Sequence, residues 1–224
     1  MKQVRKGFIT VCIFFLAACN NSGENASANS DTATTQTDHT TTHQPSLSHD
    51  SAAAHGNLMK SMDDMMSNMK KMQMTGDFDI DFANMMIEHH QGGINMAQVE
   101  ISNGKDEKMK TMAQEITRKQ KEEQQKLREF IGSYKPSGMK HGEGELQKSM
   151  SGMDSKSKAM QTNADVDKDF AVMMISHHEH AVEMAKMQLK HGMSAELKKM
   201  AQDMINDQKK EISEFKTWLN ARDK

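Results

Sequence analysis

Histidine and methionine recur at helical spacing in the second half of the chain. With Met173 at zero and 100° per residue, His177 falls at about 40°, His180 at about −20° and Met184 at about 20°. Met187 follows at about −40° and His191 returns to about zero, so six imidazole and thioether side chains share a stripe about 80° wide. Met174 borders the stripe on its apolar side, and His178 lies at its far edge. Met85, Met86, His89, His90 and Met96 form a similar set earlier in the chain. Imidazole with thioether suits a soft or borderline ion, Cu(I) first, Ag(I) as its mimic and Cu(II) more weakly. Zinc prefers thiolate, imidazole or carboxylate, and thioether serves it poorly. One inward histidine is ordinarily a hydrogen-bonded core residue, and one methionine is ordinarily a core filler. The metal reading rests instead on a Met pair standing four residues before a His pair, twice. The candidate ligands are Met85, Met86, His89, His90, Met96, Met173, Met174, His177, His178, His180 and Met184.

The doubling is an internal repeat. At an offset of 88 residues and without a gap, Asp81-Phe82-Ala83 matches Asp169-Phe170-Ala171, and Met85-Met86-Ile87 matches Met173-Met174-Ile175. His89-His90 falls on His177-His178, Met96-Ala97 on Met184-Ala185, and Gly104 on Gly192. Met112-Ala113-Gln114 continues on Met200-Ala201-Gln202, followed by Gln120 on Gln208 and Glu123 on Glu211. Such self-similarity marks two copies of one supersecondary unit, neither of which buries a core alone. The copies also differ. Where the second has His180, Met187 and His191, the first has Gly92, Val99 and Asn103, so the second carries more potential ligands. The adjacent Gly92-Gly93 is expected to loosen its helix.

These residues need helices to position them. Leu58, Met62, Met65, Met69 and Met72 step by four and three, the pattern of one helix face. After a break at Thr75-Gly76-Asp77, the pattern predicts helices from about Asp79 to Ser102 and from about Asp106 to Ile131. The second copy predicts helices near 145–161, 167–190 and 194–221. The expected fold is all-α, a ferritin-like four-helix bundle made of two repeated hairpins, with two shorter Met-rich helices laid against it. Repeat 1 occupies 57–132 and repeat 2 occupies 145–224; a Pro- and Gly-containing linker, 133–144, joins them into one domain.

The N-terminus carries a different signal. Lys2, Arg5 and Lys6 precede an apolar run, Gly7 to Ala18, too short for a lasting transmembrane helix. Leu16-Ala17-Ala18-Cys19 resembles the lipobox of bacterial lipoproteins, which implies cleavage after residue 18 and lipid on Cys19. The expected location is the cell envelope, with the protein anchored to the membrane and facing the periplasm or the exterior. Residues 19–56 read as a lipidated cysteine and a disordered tether, with His39, His43, His49 and His55 scattered along it. Cys12 leaves with the leader and Cys19 carries lipid, so the mature chain offers no thiolate to a metal.

Composition narrows the partners. Removing the three cations of the leader leaves 26 Lys and Arg against 31 Asp and Glu, which is no nucleic-acid footprint. The 24 methionines outnumber the eight leucines threefold, a preference that core filling alone does not explain. No histidine is preceded at three residues by glutamate, which argues against a di-iron oxidase, and no hydrolase or phosphate-loop motif is present. No enzymatic activity is expected.

The pattern DFAxMMIxHH, followed by MA, a glycine and MAQxxxxxQxxE, resembles domain of unknown function 305 in both copies, over roughly residues 57–221. The resemblance implies a ferritin-like helical bundle in an exported protein, and copper binding as in some members. Sequestering Cu(I) or handing it to a copper-handling protein is the expected role. The rival readings are an envelope protein that docks a partner helix on its Met face, and a metal-dependent oxidase.

Overall fold

The computed structural model describes residues 49–136, 144–149 and 165–222, all within one compact unit, Gln44–Lys224. The leader, Cys19, His39, His43 and most of the expected second Met helix, including Met150, Met153 and Met160, lie outside the described residues. Among those described, regular structure is entirely helical. The helices are α1 (His49–Lys71), α2 (Phe78–Asn103), α3 (Glu107–Ser133), α4 (Val166–His191) and α5 (Ala195–Arg222). None is long and apolar enough to cross a membrane.

Each copy contributes one hairpin, α2 with α3 and α4 with α5. The hairpins meet along α2 and α4, and α1 lies mainly on α2 with a smaller contact to α4. The stepped residues of α1 do face inward: Leu58, Met62, Met65 and Met69 are all buried. Helix α1 nevertheless takes in the last eight residues of the expected tether. Ala54 is buried, and His55 Nδ1 lies 2.8 Å from Asp169 Oδ2 on α4. The Ala52-Ala53-Ala54 run supplies the helix propensity that a tether assignment overlooks.

Aspartates start the helices. Asp77 accepts the backbone N–H groups of Asp79 and Ile80, Asp106 that of Met109 and Asp165 that of Lys168. Each satisfies donors that the first helical turn leaves open. A second pair of aspartates ties the repeats together. Asp79, in the first turn of α2, accepts the backbone N–H groups of Met193 and Ser194, 2.8 and 3.1 Å away, at the start of α5. Its equivalent Asp167, in the first turn of α4, accepts those of Lys105 and Asp106, 3.0 and 2.9 Å away, at the start of α3. Each repeat thus caps the other.

The two caps differ in the side chains that meet the aspartates. Gln188 donates its amide to Asp79. The equivalent Glu100 is buried against Asp167, and burial first, then hydrogen bonding to Asp167, pushes its carboxyl up to about 9. Gly104 and Gly192 have ordinary negative φ, −65° and −63°; a Cβ at either would collide with the Glu100 or Gln188 side chain, so close approach is what requires them. Folded Glu100 keeps its proton up to about pH 9, whereas in the unfolded chain it would lose it near the ordinary glutamate value of 4.5. The folded state therefore holds the extra proton between these values, and stability declines as pH rises through that window. Glu100→Gln, which copies the second repeat, should remove the decline. Near pH 7 it should stabilise by on the order of 1–3 kcal/mol, read as a gap in thermal midpoint that widens from pH 5 to pH 8. A gap that is constant with pH would mean that Glu100 is not the protonated partner.

Candidate metal centre

All four paired histidines are buried where α2 meets α4, with no exposed surface at all. His89 and His177, the first members of the two pairs, stack across the pseudo-twofold relation with ring centroids 3.9 Å apart and planes inclined by 29°. His180 adds a third ring, 5.1 Å from His89. The second members turn outward to the flanking helices. His178 Nε2 lies 2.7 Å from Glu211 Oε2 on α5, and His90 Nε2 lies 2.7 Å from Glu123 Oε2 on α3. The sequence stripe placed His178 at its edge; α5 covers that edge, so the residue is as deep as His177.

The hydrogen bonds fix which nitrogens are available. His177 Nε2 donates to the His89 carbonyl oxygen, 2.9 Å away. His178 Nε2 donates to Glu211, whose carboxyl is held below its usual range because the His178 and Lys119 contacts outweigh its burial. In their neutral forms, His177 and His178 thus direct Nδ1 lone pairs at one another across 3.4 Å. Two facing lone pairs repel unless a proton or a cation lies between them. Neither ring nitrogen of His89 has a hydrogen-bond partner, although the ring is completely buried. Buried polar atoms are nearly always satisfied, so this bare imidazole calls for a ligand. Burial, reinforced by the neighbouring histidines, pushes His89 and His177 well below the ordinary histidine value. Both are neutral near pH 7, the form that binds metal.

The thioethers belong to the same core. Met85, Met86, Met96, Met174 and Met184 are completely buried and Met173 nearly so. Met85 and Met173 stand one helical turn before His89 and His177, respectively. His180 is buried, while Met187 and His191 are only half-buried and Met187 lies in the wall of a surface cavity of about 800 Å³ between α4, α5 and residues 145–149. The structure therefore brings the histidine pairs together but leaves the far end of the α4 stripe near solvent. Among the described residues, no three of His, Cys, Asp and Glu are arranged to hold a metal ion. A metal here would take two imidazoles and complete its shell from thioethers or the amides nearby.

Gly92-Gly93 does not loosen α2, which runs unbroken through it. A Cβ on Gly92 would meet Met65 Sδ at 2.5 Å, and one on Gly93 would meet His177 Cε1 at 2.7 Å and crowd Gln120. The glycines are the surfaces on which α1 and α4 approach. Sequence reasoning about ligands missed Glu123, Glu211, Gln120 and Gln208; their repetition as Gln-x-x-Glu in both copies was the available signal.

The family profile described as Domain of unknown function (DUF305) matches residues 22–131 and again 132–219. No curated protein matches the chain. Among solved structures, CopM in the Cu(I)-bound form is 26% identical, covering 66% of this chain and 98% of its own, with a TM-score of 0.49. CopM in the Ag-bound form by co-crystallization is also 26% identical, over 64% of this chain and 96% of its own, at 0.48. A DUF305 fragment from Deinococcus radiodurans is 17% identical, over 64% and 96%, at 0.49.

Proposed function

The chain belongs to the family described as domain of unknown function 305, and we propose that it binds copper, Cu(I) above all, at the buried histidine pairs. The observation that carries this reading is His89: a completely buried imidazole with both nitrogens bare, stacked on His177 within a methionine core. Two imidazoles from among His89, His177 and His178 would hold the ion, with thioethers from Met85, Met173 or Met184 supplying the soft donors that favour Cu(I) and its mimic Ag(I). Glu211 orients His178, and Glu123 lies at the equivalent place beside His90, as outer carboxylates do for metal-binding histidines. Sequestration, or transfer to a copper-handling partner, is the role this reading gives the centre.

The test is competition. The full chain, exposed to equimolar Cu(I), Zn(II) and Fe(II) and then desalted, should retain copper and little of the others. Retention of zinc or iron in preference, or of no metal, would end the copper reading.

The same proposal places the protein in the cell envelope, held by lipid on Cys19 and reaching its metal outside the cytoplasm. Cys19→Ser should abolish incorporation of radioactive palmitate and release the protein from membranes. Persistent labelling would put the lipid elsewhere. Each acyl chain supplies about 0.8 kcal/mol per buried methylene, so two or three chains anchor firmly.

A further inference from the structure

The histidines of this chamber are not the only polar groups buried in the core. Gln120 on α3 and Gln208 on α5 are equivalent at the repeat offset, and each is 3% exposed. Each stands three residues before a carboxylate that approaches a histidine, Glu123 or Glu211, and so shares its helix face. Gln120 reaches the chamber itself: its side-chain amide and His177 Cε1 crowd the same point beside Gly93. The Oε1 atoms of both glutamines lack hydrogen-bond partners, as does Nε2 of Gln208. A bare amide oxygen in a core is costly, and an apolar side chain of similar size would avoid the cost. Here the cost is incurred twice, at related positions, one helical turn from the carboxylates.

An amide oxygen is a harder donor than a thioether. Cu(I) is well served by the imidazoles and thioethers already present, whereas Cu(II) gains from nitrogen and oxygen donors. Resting on the reading of this chamber as a copper site, we infer that Gln120 and Gln208 are its oxygen donors and set its oxidation-state preference, keeping the ion bound when it is Cu(II). Glutamine supplies that oxygen without placing another buried charge beside Glu123 and Glu211 in the metal-free chain.

The test exchanges each amide for a thioether of the same length, Gln120→Met with Gln208→Met, in the full chain. Cu(II) affinity should fall by roughly tenfold to a hundredfold, the range for lost supporting groups at metal sites. Cu(I) affinity should stay within about threefold. The Cu(II) electron paramagnetic resonance spectrum should shift toward fewer oxygen donors. A second variant, Gln208→Glu, exchanges the amide oxygen for a harder carboxylate and should bind Cu(II) at least as tightly as the parent while not improving Cu(I); it carries the test if the double variant does not fold. Unchanged affinities, or equal losses for both oxidation states, would overturn the assignment while leaving the copper site standing. A parent chain that binds neither ion would overturn the site and this assignment together.

Discussion

Replacing His177 and His178 together by alanine should weaken Cu(I) binding by several orders of magnitude. Each lost ligand costs a few kcal/mol, on the order of two decades of affinity at 1.4 kcal/mol per decade. The two rings offer facing Nδ1 atoms 3.4 Å apart, and His177 also carries the stack against His89, so the double change removes both sides of the chamber on α4. It also empties space in the core and takes the histidine partner from Glu211, which keeps Lys119 at 3.0 Å. A lower thermal midpoint is therefore expected as well, and a gentler variant separates the two effects. Glu211→Gln keeps a side chain that can hydrogen-bond His178 but removes its charge; it should cost about tenfold to a hundredfold in metal affinity. His39→Ala with His43→Ala, in the expected tether, should cost little. The expected order of affinities, read by competition with a Cu(I) chelator, is tether variant, then Glu211→Gln, then the double alanine. A double alanine chain that folds and binds as tightly as the parent would make the histidine pairs structural.

How much of this was legible before the structure depends on the kind of signal. The hairpins were, because Asn103-Gly104 and His191-Gly192 interrupt strong helical periodicity and the 88-residue repeat doubles every inference. The helix ends that the repeat implied fall within one or two residues of those of α2, α3, α4 and α5. The inward course of Leu58, Met62, Met65 and Met69 was legible for the same reason. The start of α1 was not, because Ser, Asp and His around the alanine run gave a polar composition that masked its helix propensity. A helical wheel also ranks residues by one stripe, and α4 is covered on two sides. His178 is therefore buried against α5 although the wheel put it at the margin, while His191, on the stripe, emerges near the helix end. The glycines misled for a related reason. Propensity treats Gly92-Gly93 as a weakness of α2 itself, whereas the packing uses the missing side chains to admit Met65 and His177.

That packing yields the second large effect. Gly93→Val should destabilise the fold and damage the metal centre at once. A Cβ at this position lies 2.7 Å from His177 Cε1, inside the distance real Cβ atoms tolerate, and presses on the Gln120 amide. His177 has little room to retreat, since its ring is stacked on His89 and its Nε2 is bonded to the His89 carbonyl oxygen. Gln120 is flexible but buried. Overpacking of this kind costs about 1–3 kcal/mol, and valine's two further methyl groups place the change at or above the top of that range. The gain in helix propensity over glycine is only a few tenths of a kcal/mol and does not compensate. At about 2–4 °C per kcal/mol for a chain of this size, the midpoint should drop by roughly 5–10 °C. Two controls isolate the cause. Gly132→Ala sits in α3 with nothing within 4 Å of the new carbon and should stabilise by about 0.5–1 kcal/mol. Gly92→Ala meets Met65 from its Cβ outward, so it should destabilise while leaving the histidines where they are. Only the Gly93 change should lower both the thermal midpoint and the Cu(I) affinity. If Gly92→Ala and Gly93→Val weakened copper equally, the contact of α4 with Gly93 would not be what positions His177.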